Sequence, residues 1–358
     1  MILSGLERQC LDEFKSVIIW GWPLGSHTHS YIHEAWFRVF SEFYKKDTHW
    51  FHDGNYPKEF DYENCIFITE GYADGAIPIV PSSVYFVHDC IRPERYVSKG
   101  ARLIETRYNL NELHDMNNTY KLDDGTHDLV KISEHSLYEK LSSNSGVSPD
   151  HRGPDPTPME YEALYIYWAT DLLPTEINLD DAYNERKNII YYIASPRTST
   201  KQDEFRAICE KNNITWKPIN PWETPVETNM MHELLKTSAL CPDFRPLPDP
   251  KDIEKYGEMF GANHLVNGLI PCRPFKAISC GHIGITDSRA VKKLLGEHVL
   301  YDEDMNVLFE MAMKERTNYD RIKAAMAHVR DNHTYAQRAR DLLRSIVKKN
   351  TCYDINAR

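Results

Sequence analysis

One stretch near the start of the chain, SVIIWGWPLGSHTHSYIHEAWFRVFSEFYKK (Ser16–Lys46), limits the possible folds most. Ser16–Trp20 is a short apolar run of strand type, and Gly21 to Ser30 is a loop holding two glycines and a proline. From about Tyr31 to Lys46, Ile32, Trp36, Val39, Phe40 and Phe43 fall on one face at helical spacing. A strand, a glycine loop and a helix in that order open a doubly wound α/β domain, whose ligands collect at the carboxyl ends of the strands. No G-x-G-x-x-G follows the first strand, so a dinucleotide fingerprint is absent.

The same pattern continues. Strands are expected at Trp50–His52, Cys65–Thr69, Val84–His88 and Arg102–Glu105, each running into polar residues where a parallel sheet has its functional rim. Glu70, Asp74 and His88 fall on that rim. The run Leu141–Pro158, rich in Ser, Gly and Pro, reads as a long loop, and Ala169–Ile177 as a connection between halves. A second series then begins. It has a strand at Asn188–Ala194, a helix at Lys201–Asn212, a strand at Ile214–Ile219, a helix at Asn229–Leu235 and a strand at Thr237–Cys241. Helices close the chain at Asn306–Lys314, Tyr319–His328 and Tyr335–Lys349. Because 358 residues exceed what one core usually fills, two α/β domains are expected, residues 1–175 and 176–358.

Charge and cysteine usage narrow the partners. A net charge of −11 argues against a nucleic-acid or membrane-surface binder, since both need a basic face. The eight cysteines include no CxxC pair, which speaks against a zinc site or a disulfide framework and for a reducing cytoplasm. No run of 18 apolar residues exists and MILSGLERQCLDEF has no signal-peptide core, so neither a membrane span nor a leader is expected.

Within the second half, NGLIPCRPFKAISCGHIGITDS (Asn267–Ser288) reads as a helix from about Pro271 to Cys280, a stop at Gly281 and a strand around Ile283–Thr286. Arg273 and Lys276 are three apart and share a face. Cations in the first turns oppose the helix dipole. Either both are solvated, or an anion lies between them and the helix N-terminus. Asp302-Glu303-Asp304 has the D-x-D spacing of a metal–diphosphate bridge, but Asp304 also precedes a helix and reads better as its N-cap.

RPFKAISCGHIGITDS, with His333-Thr334-Tyr335-Ala336-Gln337-Arg338-Ala339 some 45 residues later, resembles the C-terminal half of group-1 glycosyltransferases. The likeness is closest to the CgeB-like, spore-maturation-type branch, and covers roughly residues 260–346. That branch carries an Arg-x-Phe-Glu-Ala-x-x-x-Gly helix. Its acidic position, which in many relatives approaches the donor's ribose, is Lys276 here, and this points to Lys276 as a phosphate ligand. The resemblance implies the GT-B plan, two Rossmann-like domains facing each other across a cleft. The first would hold a glycan or other hydroxyl acceptor and the second a nucleotide-diphosphate sugar.

A metal-independent glycosyltransferase without cofactor is therefore expected, because protein cations and a helix N-terminus can neutralise the leaving diphosphate. Arg273 and Lys276 are the first choices for the donor, with Ser195, Arg197, Pro271 and Phe275 beside them. For the base that takes the acceptor's proton, the loop histidine His27 and the rim residues His88, Glu70 and Asp74 are the candidates. A sugar-nucleotide epimerase, a phosphorylase of the same fold or a non-catalytic sugar-nucleotide-binding protein are the alternatives.

Overall fold

The structure is a computed structural model that describes residues 3–26, 29–107, 138–142, 160–194, 200–221, 223–224, 226–244 and 270–351. Most of the expected loop at 141–158 lies outside these residues.

In the first unit the chain runs α1 (Gly5–Glu13), β1 (Val17–Trp20), α2 (Ser30–Arg38), β2 (Thr48–Phe51), β3 (Ile66–Glu70), β4 (Val84–His88), α3 (Glu94–Val97), β5 (Arg102–Arg107), β6 (Tyr138–Ser142) and β7 (Glu160–Tyr165). These strands form one sheet in the order β2-β1-β3-β4-β5-β7-β6, and only β6 is antiparallel to its neighbour. VIIW, IFITE and VYFVH are near-continuous apolar runs because the sheet is covered on both faces. The α2 helix ends earlier than its apolar pattern suggests. Past Arg38 it widens into a π turn (Val39–Phe43), and Lys45 at φ +56° stops it. Trp36, Val39 and Phe40 are nonetheless buried as expected, with Ile32 and Phe43 packed beside them.

The second unit holds β8 (Ile189–Ile193), α4 (Thr200–Lys211), β9 (Thr215–Ile219), α5 (Thr228–Thr237), β10 (Pro242–Asp243), α6 (Cys272–Ser279), β11 (Gly284–Thr286), α7 (Arg289–Leu295), β12 (Val299–Tyr301), α8 (Met305–Glu315), α9 (Tyr319–Asn332) and α10 (Tyr335–Thr351). β8 pairs with β9, and β10, β11 and β12 pair in order, all in parallel. Lys187 N–H donates to Thr237 O and Ala239 N–H to Ile189 O, which joins the two ladders in the order β9-β8-β10-β11-β12. The strand expected at Thr237–Cys241 is displaced to Pro242–Asp243. One reason is that the Ser238 hydroxyl, not a backbone carbonyl, accepts the Tyr191 N–H and interrupts the ladder. Gly281 (φ +88°) ends α6 as expected, and Asp304 caps α8 by accepting from Asn306 N–H at 2.8 Å.

Thus the α/β plan of two Rossmann-like units across a cleft is the one the chain adopts. The last helix departs from the sequence division at residue 175. Tyr335, Ala336, Ala339, Leu342, Leu343 and Ile346 of α10 pack with α1, α2 and β1 of the first unit. Glu7 on α1 binds Arg340 at 3.1 Å and Arg344 at 2.7 Å. No helix among the described residues is long and apolar enough to cross a membrane.

Candidate functional site

β2-β1-β3-β4-β5 of the first sheet and the β9-β8 and β10-β11-β12 ladders of the second unit share the neighbour order 2-1-3-4-5, so each unit has a switch point where successive connections leave in opposite directions. That is the crevice where such sheets bind ligands. In the first unit it lies between β1 and β3, in the second between β8 and β10.

At the first switch point β3 ends in Glu70, and its neighbour β4 ends in His88, while the α2 entry supplies His29 and His33. Gly21 makes this possible, because a Cβ there would sit 2.1 Å from the His33 ring. Trp22 N–H donates to His33 Nδ1 at 3.0 Å, which places the proton of the neutral ring on Nε2, 3.8 Å from Glu70 Oε1. Glu70 Oε2 lies 2.5 Å from His29 Nδ1. Burial pushes the Glu70 carboxyl up, but the His29 hydrogen bond, with His33 and His88 close by, outweighs it and holds the group below the usual carboxylate range. His88 donates from Nδ1 to Thr106 O at 3.1 Å, and its Nε2 is 3.4 Å from Asp89 Oδ2. His29, His33, Glu70 and His88 line a pocket of about 540 Å³, its mouth included, with apolar walls such as Ile32, Trp36, Ile68 and Phe86.

Two expected bases are thus brought together, Glu70 and His88. Asp74 is not with them. Its carboxylate is fully buried and accepts from Arg92 (2.8 Å), Arg95 (3.2 Å) and the Tyr96 hydroxyl (2.6 Å), so it braces the turn after β3. His27 lies outside the described residues.

The second switch point faces the N-terminus of α6, whose N-cap residue Pro271 offers no capping side chain. Arg273 donates to the Tyr192 hydroxyl at 2.8 Å and to Ile193 O at 3.1 Å, stacks over the Tyr192 ring at 4.6 Å and lies 3.6 Å from Asp243. Lys276 Nζ donates to Asp171 Oδ2 at 2.8 Å, and the other Asp171 oxygen meets His232 Nε2 at 3.0 Å. Burial raises the Asp171 carboxyl, but Lys276 and His232 more than reverse this and hold it well below its ordinary value. Burial likewise lowers Lys276, yet Asp171 carries it above the usual lysine range.

This corrects the idea that the two cations are solvated or wait only for an outside anion. Each already faces a buried carboxylate, and only Arg273 lies near the positive end of the helix, because Lys276 falls in its last turn. Both still line the cleft, whose atom-free space is about 1180 Å³ with its mouth, together with Pro271, Tyr31, Tyr191 and Met231. Phe275 does not reach it. It is fully buried and stacks on His333 at 4.9 Å. Ser195 and Arg197 lie outside the described residues.

Two participants have no signal in the sequence. Asp171 and Trp168 sit in the connection between units, and their partners are far off in the chain, so no local spacing marks them. Trp168 meets His29 at 5.4 Å between ring centroids and lines both the pocket and the cleft. His29 lies two residues after the loop histidine His27 and shares its loop. The His-Thr-Tyr…Arg element also gains a physical role. Arg338 donates to the carbonyls of Tyr167 (2.8 Å), Trp168 (3.4 Å) and Asn332 (3.3 Å), pinning the connection to the start of α10.

Residues 194–344 match the model of the Glycosyl transferase-like family. Among solved structures the chain is similar to an alpha-glucosyltransferase in complex with UDP and a 13-mer DNA containing a central A:G mismatch. Identity is 11%, the match covers 89% of this chain and 96% of that one, and the TM-score is 0.47. It is also similar to the alpha,alpha-trehalose 6-phosphate synthase of Burkholderia multivorans (11% identity, 94% and 100% covered, TM-score 0.48). A third is the UDP-forming alpha,alpha-trehalose-phosphate synthase of Burkholderia xenovorans in complex with glucose-6-phosphate (10%, 75% and 73%, 0.42). No curated protein matches the chain.

Proposed function

We propose that the protein is a GT-B glycosyltransferase that moves a sugar from a nucleotide-diphosphate donor to a hydroxyl acceptor without a metal ion. The observation that carries this reading is the cation pair Arg273 and Lys276, lining a cleft at the second sheet's switch point within the glycosyl transferase-like segment. Breaking the bond from the anomeric carbon to the diphosphate leaves the electron pair on that oxygen, and nearby fixed cations stabilise the charge as it grows. The new bond forms to the acceptor oxygen, whose proton needs a base. His29 suits this task. Glu70 fixes its Nδ1 at 2.5 Å, leaving Nε2 to take the proton while the carboxylate stabilises the resulting imidazolium. A glycan is the acceptor this reading favours.

A thermal-shift panel of nucleotide sugars, followed by turnover assays with and without EDTA, tests the proposal. A donor at 100 times its dissociation constant adds about 2.7 kcal/mol to stability. Protection by no nucleotide sugar overturns the donor reading, and turnover abolished by EDTA and restored by manganese overturns the metal-free one.

A further inference from the structure

Among the described residues, Trp168 is the one side chain that lines both the His29–Glu70–His88 pocket and the Arg273–Lys276 cleft. On the glycosyl-transfer reading the reacting carbon has its leaving oxygen on the cation side and its incoming oxygen on the histidine side. Whatever stands on the border between the two cavities therefore stands beside the sugar in transit. Trp168 is half-buried, so it has surface to offer. Its ring lies 5.4 Å from His29 and 6.4 Å from His88 between centroids.

Its backbone is tied at several points to the start of α10. Arg338 takes the carbonyls on either side of the residue's own N–H, those of Tyr167 and Trp168. The guanidinium also stacks over the Tyr167 ring at 4.1 Å, and two residues on, Thr170 N–H donates to His333 O at 3.1 Å. Rigid presentation of a large flat apolar side chain is what a binding platform needs, because the ordering cost is met in folding and not in binding.

We infer that Trp168 is the platform for the transferred sugar, packing against the C–H face of a pyranose and so selecting for that ring. This rests on the donor reading above and adds to it the residue that recognises the sugar, as distinct from the nucleotide. Indole is suited to the task, since it buries a large apolar area and its π face attracts the slightly positive C–H edge of a ring.

The experiment uses the full chain, Trp168→Phe and Trp168→Ala, with UDP, ADP and GDP and their glucose, galactose, mannose and N-acetylglucosamine conjugates as probes. Binding is read by calorimetry and turnover by nucleotide release. For the nucleotide the parent binds, both variants should bind the bare diphosphate within about twofold of the parent. Trp168→Ala should bind the preferred conjugate about fivefold to tenfold more weakly, the range expected for one aromatic contact. Trp168→Phe should recover most of the loss, with the change falling on KM more than on kcat. Equal weakening toward diphosphate and conjugate, or no change toward either, overturns the inference and leaves the donor reading intact. A parent that binds none of the probes overturns the donor reading and this inference with it.

Discussion

Lys276 and Asp171 meet at 2.8 Å across the seam between the units, the lysine on α6 and the aspartate on the connection that follows β7. Asp171 is buried and Lys276 nearly so, with side-chain exposures of 4% and 14%. Losing one partner of a buried pair costs about 3–5 kcal/mol, and without Lys276 the Asp171 carboxylate keeps only His232 at 3.0 Å where water reaches poorly. Lys276→Ala should therefore lower stability by roughly 3 kcal/mol, measured by urea denaturation. Adding Asp171→Asn to the same protein should restore much of the loss. Equal instability of the single and double variants would show that the ammonium does not serve the aspartate.

Glu70 and Asp74 separate function from support. Both are acids on the same turn, but only Glu70 sits with the histidines. Glu70→Gln should cut kcat by roughly 10²–10⁴ with little change in donor-induced thermal protection. Asp74→Asn should act on stability, since Arg92, Arg95 and Tyr96 all lose a charged acceptor. The reverse outcome, a stable but inactive Asp74→Asn, would move the base to the other side of the turn.

The strands, their polar ends and the α6 helix with its glycine stop were legible because they depend on local periodicity and on backbone rules that residues a few positions apart already express. The cation face was legible for the same reason. What those cations touch was not, because Asp171 lies 105 residues from Lys276 and reaches it only through the tertiary fold. Phe275 shows the opposite error. Its place in a motif suggested a ligand contact, whereas it is packed between His333 and Tyr167. The burial of His33 was not legible either, because the lack of a side chain at Gly21 matters only once the fold brings the His33 ring against it.

Gly21→Ala follows from that contact. The added methyl would overlap the imidazole of His33 at 2.1 Å, so the ring has to leave its place beside Glu70 and the Trp22 N–H. Expected is a fall in kcat of about tenfold to a hundredfold, with the nucleotide still protecting the protein, since the donor cleft lies on the other sheet. Parent-like turnover would mean that His33 is not needed where it stands.

Acid stability should carry the mark of one buried histidine. His282, in the turn between α6 and β11, hydrogen-bonds Leu235 O at 2.8 Å through Nε2, and burial first, then Arg186, push its pKa down to about 3. The unfolded chain binds that proton near pH 6.5, while the folded one resists until about pH 3. Between those values the unfolded state holds more protons, so stability rises with pH across the window and is lost as pH falls through it. The slope for one such group is about 1.4 kcal/mol per pH unit. His282→Gln keeps a donor for the carbonyl and cannot be protonated. Measured from pH 7 to pH 4.5, its stability should fall less steeply than the parent's by about that slope, even if it starts lower. Parallel curves for the two proteins would mean that His282 takes up its proton in the folded state at its ordinary pKa.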